Sequence, residues 1–176
     1  MDVHGGRTDS AVLVPLFRDP ADRMHAVFTK RRADLKRHAG EISFPGGRRE
    51  DGETLQQTAL REAWEEVGLP AAKVDVIGAL APVGTFVTNY AIYPFVGLIE
   101  HGFEWVAQEA EVAEVLEFAL DDLVAGHSIK RLVRRGMAFK SDVFEVGDAT
   151  VWGATARILG DLLARTGDGP PLRPLP

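Results

Sequence analysis

Apolar and polar positions along the chain fall into two rhythms. Ala11–Phe17 (AVLVPLF) is a short, nearly continuous apolar run, as in a buried strand, and Pro15 should bulge it or demote it to an edge. Arg18–Asp22 carries turn chemistry, and Met24–Arg31 reads as a second strand completing a hairpin. His25 within it is a half-buried or surface histidine rather than a ligand. The period then lengthens: Leu55, Ala59, Ala63 and Val67 form one helical stripe. Thr54 and Gln57 make a capping-box pair at its start, and Gly68 followed by Pro70 ends it. Val74–Val83 and Ala91–Ile99 are β-branched runs separated by a turn marked by Gly84 and Asn89. Glu111–Ala119 alternates charged and apolar residues into a strand entered from a polar loop. A helix starts at Leu120–Leu123, a strand follows at Met137–Val146, and Asp148–Thr150 supplies a turn. A last helix opens at Trp152 and runs through Leu163, with Ala156, Leu159, Leu162 and Leu163 as its buried stripe. Strands and helices mix without regular βαβ alternation, which favours an α/β/α sandwich around a mixed β-sheet.

Composition narrows the class. At 176 residues, 45% apolar and 26% charged, the chain suits one globular domain across residues 1–176, with 1–9 and 167–176 as loose ends. A net charge of −6 argues against a nucleic-acid-coating protein. The absence of cysteine excludes disulfides and zinc–thiolate sites and fits a reducing cytosol. No membrane span or signal peptide is visible, so a cytoplasmic protein is expected. Apolar strands at a sheet edge make a homodimer an expectation as well.

The chemistry concentrates in GGRREDGETLQQTALREAWEEVGL, from Gly46 to Leu69. Glu62, Glu65 and Glu66 stand three and four residues apart and project from one side of the helix. Such like charges repel by about 0.2–0.5 kcal/mol per pair when exposed. A cation at their focus reverses that sign, and carboxylate oxygens suit a hard ion such as Mg²⁺ or Mn²⁺. The competing account of such a cluster is a solvated helix face. Spacing decides between them: Gly47, five residues, Glu53, seven residues, then Arg61-Glu62-Ala63-Trp64-Glu65-Glu66-Val67-Gly68-Leu69. This resembles the box of the Nudix hydrolases, with Ala63 where a bulkier aliphatic is frequent.

That resemblance implies the Nudix fold and metal-dependent cleavage of a diphosphate bridge. It implies metal ligation by Glu62, Glu65 and Glu66, with backbone oxygens at Gly46 and Gly47 as further donors. It also implies an Arg61–Glu53 pair that ties loop to helix. A glutamate ahead of the Val112 strand, Glu111 first and Glu109 next, would add a ligand or the general base, a role for which Glu66 is the alternative.

Six cationic or titratable groups lead into the box: Lys30, Arg31, Arg32, Lys36, Arg37 and His38. They are either solvated loop charges or an anion site for substrate phosphates, with Arg31, Arg32, Lys36, Arg37 and His38 as candidate contacts. Their order decides the finer reading. Val27-Phe28-Thr29-Lys30-Arg31 and Leu35-Lys36-Arg37-His38-Ala39-Gly40-Glu41-Ile42-Ser43-Phe44-Pro45-Gly46-Gly47 together resemble the extra motif of the coenzyme A pyrophosphatase branch, with Lys36 at a usual arginine position. Tyr93-Pro94-Phe95-Val96 and Trp152-Gly153-Ala154-Thr155-Ala156 are similar to later segments of that branch. Phe86 or Tyr90 would stack on an adenine ring. The implied reaction is hydrolysis of coenzyme A or its thioesters. The alternatives are another nucleoside diphosphate derivative, such as ADP-ribose or a dinucleotide, and a ligand-sensing domain without turnover.

Overall fold

The computed structural model describes residues 8–36, 39–85 and 89–167. Its organising strand is β1 (Thr8–Arg18), with β2 (Met24–Arg31) following it in a hairpin. The pair is antiparallel from Leu16↔Ala26 to Arg18↔Met24, around a turn in which Asp22 has φ 64°. The first strand thus takes in Thr8 and Asp9, which the sequence assigns to a loose end.

Pro15 does not demote β1 to an edge. On one side β1 runs parallel to β7 (Tyr90–Leu98), from Thr8↔Tyr90 to Leu16↔Leu98. On the other it pairs with the short β4 (Gly46–Arg48) at Ser10–Val12, and with β2 only from Leu16. Leu13 N–H still reaches the Pro45 carbonyl (2.9 Å). Residue 15 faces the same side two positions on, where the chain passes from one partner to the other, and a missing N–H costs nothing there.

Around β1 the path is β3 (Ile42–Ser43), β2, β1, β7 and β5 (Asp75–Ala79). The short β6 (Val83–Gly84) also pairs with β7, and β8 (Val112–Ala119) pairs antiparallel with β2. The apolar run Val74–Val83 is therefore two strands, broken before Pro82. One parallel pair among antiparallel ones makes the sheet mixed.

Alternation along β1 divides the core in two. Ala11 and Leu13 face α1 (Leu55–Val67), packing with Ala59, Ala63, Val67 and Leu69. Val14 and Leu16 face the opposite layer, with Phe28, Phe44, Leu123, Leu159 and Leu163. That layer holds α2 (Leu120–Ala125) and α3 (Gly153–Thr166). A strand covered on both faces needs apolar residues at successive positions, hence the unbroken run. The α/β/α sandwich follows.

A second, antiparallel sheet, β11-β10-β9, was not anticipated in full. β10 (Met137–Val146) matches its expected span, but β9 (His127–Arg134) was missed, and Ala149–Val151 is a strand (β11) where a turn was expected. Gly147 and Asp148 make that turn. β9 and β10 are joined through Arg135 (φ 50°) and Gly136 (φ 77°), both left-handed as a type I′ hairpin requires. Arginine is a rare first residue for that turn, so the hairpin carried little signal. No helix among the described residues is long and apolar enough to cross a membrane.

Candidate active site

Helix α1 is fixed at both ends by the residues that the pattern nominated. Thr54 Oγ1 accepts from Gln57 N (3.1 Å) while Gln57 Oε1 accepts from Thr54 N (2.8 Å). Gly68 turns left-handed (φ 72°), and its N–H reaches the Trp64 carbonyl (3.0 Å). With Ala59, Ala63 and Val67 buried, Glu62 and Glu66 flank the buried stripe and are themselves partly covered, whereas Glu65 turns further toward solvent.

Two glycines allow β4 to lie against those carboxylates. A Cβ on Gly47 would overlap the Glu62 carboxylate carbon (2.5 Å), and one on Gly46 would overlap Val12 Cγ1 (2.5 Å). Gly46 N–H donates to the Glu66 carboxylate. Thus Gly46, nominated for a backbone oxygen, meets Glu66 through its nitrogen.

Arg61 is the hub of a dense network. Its Nε donates to Glu53 Oε1 (2.5 Å), and one terminal nitrogen to Glu53 Oε2 (3.2 Å) and the Arg48 carbonyl (3.0 Å). The other terminal nitrogen donates to Glu62 Oε1 (3.0 Å) and Glu65 Oε2 (3.1 Å). Glu53 also accepts from Glu50 N (3.1 Å) and Thr58 Oγ1 (2.8 Å). Its carboxyl falls to about 2, chiefly through the Arg61 hydrogen bond. The loop from residue 48 to 53 is thereby tied to the helix.

The three box glutamates sit in unequal surroundings. Glu65 is half-exposed and paired with Arg61. Glu62 is largely covered, and burial raises its pKa against the pull of Arg61. Glu66 is pushed up to about 8, first by burial, then by the charges of Glu62 and Glu111. Glu111 stands just ahead of β8, and its charge acts on both. Its loop is moored to the helix end, because Gln108 N–H donates to the Glu66 carbonyl and Val106 N–H to the Val67 carbonyl. Among the described residues no three acidic or histidine side chains are drawn together as a preformed metal cage.

The cationic candidates separate. Arg31, at the end of β2, stands close enough to Glu66 to oppose its raised pKa, and its Nε is buried without a hydrogen-bond partner. Arg32 is not available in the same way. It donates to both Asp34 carboxylate oxygens (2.9 and 2.5 Å) and to the Glu109 carbonyl (2.9 Å), so it braces the loop instead of waiting for an anion. Lys36 is exposed. Arg37, His38 and Phe86 lie outside the described residues. Tyr90 receives a hydrogen bond from Arg48 Nε (2.5 Å) and lies under its guanidinium.

The NUDIX domain family matches residues 7–136. The chain belongs to the Nudix family. It is 40% identical over 165 residues to a Cronobacter sakazakii protein described as an uncharacterized Nudix hydrolase, NudL, across 92% of this chain and 84% of that one. An Escherichia coli protein of the same description is 38% identical over 165 residues, with the same coverage. Among solved structures, a MutT/Nudix family protein from Enterococcus faecalis shares the fold with TM-score 0.66 at 16% identity, over 96% of this chain and 65% of that one. The Nudix domain of Shewanella oneidensis NrtR, solved with ADP-ribose, does so with TM-score 0.56 at 18% identity, over 69% of this chain and 79% of that one.

Nudix hydrolases generally use divalent metal ions, and the donors of this Nudix site fit one. Glu62, Glu66 and Glu111 offer only oxygen, and their mutual repulsion under burial is what a hard cation relieves. The sequence nominates Glu62 and Glu66 by their spacing and Glu111 through the family resemblance. It did not separate Arg31 from Arg32, because neighbouring arginines on an extended segment differ only in which way they point.

Proposed function

We propose that this Nudix hydrolase cleaves the diphosphate of coenzyme A or its thioesters, giving adenosine 3′,5′-bisphosphate and 4′-phosphopantetheine or its acyl form. The observation that carries the diphosphate chemistry is Arg31, whose Nε is buried without a partner and whose charge acts on Glu66. An unsatisfied buried guanidinium nitrogen is costly, and a phosphate oxygen satisfies it with a charge-assisted bond. The coenzyme A assignment is supported by the segment from Val27 to Gly47, which carries Arg31 and resembles the extra motif of that branch.

Glu62, Glu65 and Glu66 would hold Mg²⁺ or Mn²⁺, which supplies charge neutralisation on the bridge and a more acidic water. Arg61 holds Glu62 and Glu65 in place against the loop. Arg31 takes a phosphate oxygen, and Lys36 adds positive charge at the approach. A carboxylate, Glu66 or Glu111, accepts the proton of the attacking water. Burial raises the Glu66 carboxyl to about 8 in the metal-free chain, so the charge of a bound cation would be what ionises it for this role near neutral pH. The water oxygen bonds to one phosphorus, the bridging P–O bond breaks, and the leaving phosphate carries off the bridge oxygen.

Chromatography of coenzyme A incubated with pure protein and Mg²⁺ or Mn²⁺ tests this; no cleavage at micromolar enzyme sinks it. Dephospho-coenzyme A, ADP-ribose and dinucleotides belong in the same panel, because only the coenzyme A reading requires the 3′-phosphate. ADP-ribose is included on the likeness to the NrtR domain. Its binding without turnover would favour a sensing role.

A further inference from the structure

The ribbon of β9 and β10 builds one side of a groove whose lining reaches Glu41, just ahead of β3. Its register pairs Arg134 with Met137, Leu132 with Phe139 and Lys130 with Ser141, so these six residues share one face. Leu132 and Phe139, together with Val143 and Trp152, supply the apolar lining of a groove of about 500 Å³, bounded across from the ribbon by Glu41. The Glu41 carbonyl accepts from Arg31 N–H (2.9 Å). Glu41 lines the groove, and its backbone bond to Arg31, whose charge acts on Glu66, links the groove to the carboxylates.

The charges of the groove are already paired. Lys130 Nζ donates to Glu145 (2.8 Å), and Arg134 pairs with Glu41 (3.5 Å) while its guanidinium lies 5.3 Å from the Trp152 ring centroid. A phosphate needs uncompensated positive charge, and this lining has none to offer without breaking a pair. An uncharged chain with apolar methylenes fits it better, and Phe139 and Met137 leave apolar area on that face uncovered.

We propose that this groove binds the acyl-pantetheine arm of the substrate, making the ribbon the element that selects acyl length. This rests on the coenzyme A reading, whose anionic nucleotide half would lie against the basic segment instead. Each methylene buried there improves binding roughly fourfold, so KM falls from acetyl- to hexanoyl-coenzyme A.

The test uses the full chain with Mg²⁺ and measures KM for coenzyme A and for acetyl-, hexanoyl- and lauroyl-coenzyme A. Leu132→Glu, and independently Phe139→Ser on the other strand, raise KM for the hexanoyl thioester about tenfold and flatten the dependence on chain length. A second readout needs no catalysis. S-hexanoyl-pantetheine, which lacks the diphosphate, produces a saturable change in tryptophan emission that is lost in Trp152→Phe and in Leu132→Glu. If coenzyme A is cleaved but chain length and both ribbon variants leave KM unmoved, the groove assignment is overturned and the activity stands. If coenzyme A is not cleaved yet S-hexanoyl-pantetheine still gives the Trp152-dependent signal, the groove stands and the reaction is wrong. Absence of both signals removes both.

Discussion

Two arginines near the same carboxylates live in opposite circumstances. Arg61, at the shoulder of α1, donates to Glu53, Glu62, Glu65 and the Arg48 carbonyl. Arg31, at the end of β2, keeps a buried Nε with no partner. A guanidinium that has spent its donors inside the protein holds geometry, whereas one with a buried Nε left unpartnered has a donor for something that arrives. The same residue type thus serves as scaffold on one side of the site and as receiver on the other, and burial alone does not tell them apart. Partners do.

The largest effect expected is on neither arginine but on Glu66, the buried carboxylate on which the charge of Arg31 acts. Glu66→Gln should lower kcat by on the order of a thousandfold with the circular dichroism spectrum unchanged; near-normal turnover would remove Glu66 from the chemistry. Arg31→Ala should cost about a hundredfold in kcat/KM, with a melting temperature close to that of the parent and partial recovery in Arg31→Lys. A large loss of stability instead would make Arg31 a second scaffold and collapse the contrast.

Arg61→Ala should show the reverse emphasis, destabilising the fold by about 2 kcal/mol in urea titration. Glu53 sharpens that test through acid stability. Its folded carboxyl is depressed to about 2 from 4.5, so its contribution is complete above 4.5 and disappears as pH falls toward 2. In Arg61→Ala that acid limb should flatten.

A last effect has the opposite sign. Glu66 is raised from 4.5 to about 8, so between those values the folded chain binds more protons than the unfolded one. In the presence of a chelator, the contribution of Glu66 to stability should be full below 4.5 and be lost as pH rises toward 8. Thermal melts across that range, compared with Glu66→Gln, would show the slope vanish in the variant.

What the sequence made legible followed the same division. The scaffold could be read, because caps, stripe and turn glycines act within a few residues of one another: Thr54, Gln57, Ala63 and Gly68 stand where their local chemistry says they should. The carboxylates were legible because a helix converts spacing into a common face. Pro15 misled, since its lost donor falls where β1 changes partners, a fact of tertiary pairing. Strand β9 was missed because its turn places Arg135 in a conformation usually given to asparagine, and because Ile129, Leu132 and Val133 stand at i, i+3 and i+4, a helical spacing instead of a strand's alternation. The engagement of Arg32 was not legible either, since its bond to Glu109 depends on a loop far away in the chain.

The placement of β1 also bears on how the site comes into being. Residue 8 lies beside residue 90 in parallel register, so this strand gains its second neighbour only after the whole stretch carrying the glutamates has been laid down. Parallel pairing across so long a span is slow to nucleate, while α1, with its own caps, can form early. Helical signal in refolding should therefore precede metal-dependent activity, with the capped helix waiting for the strand against which it docks.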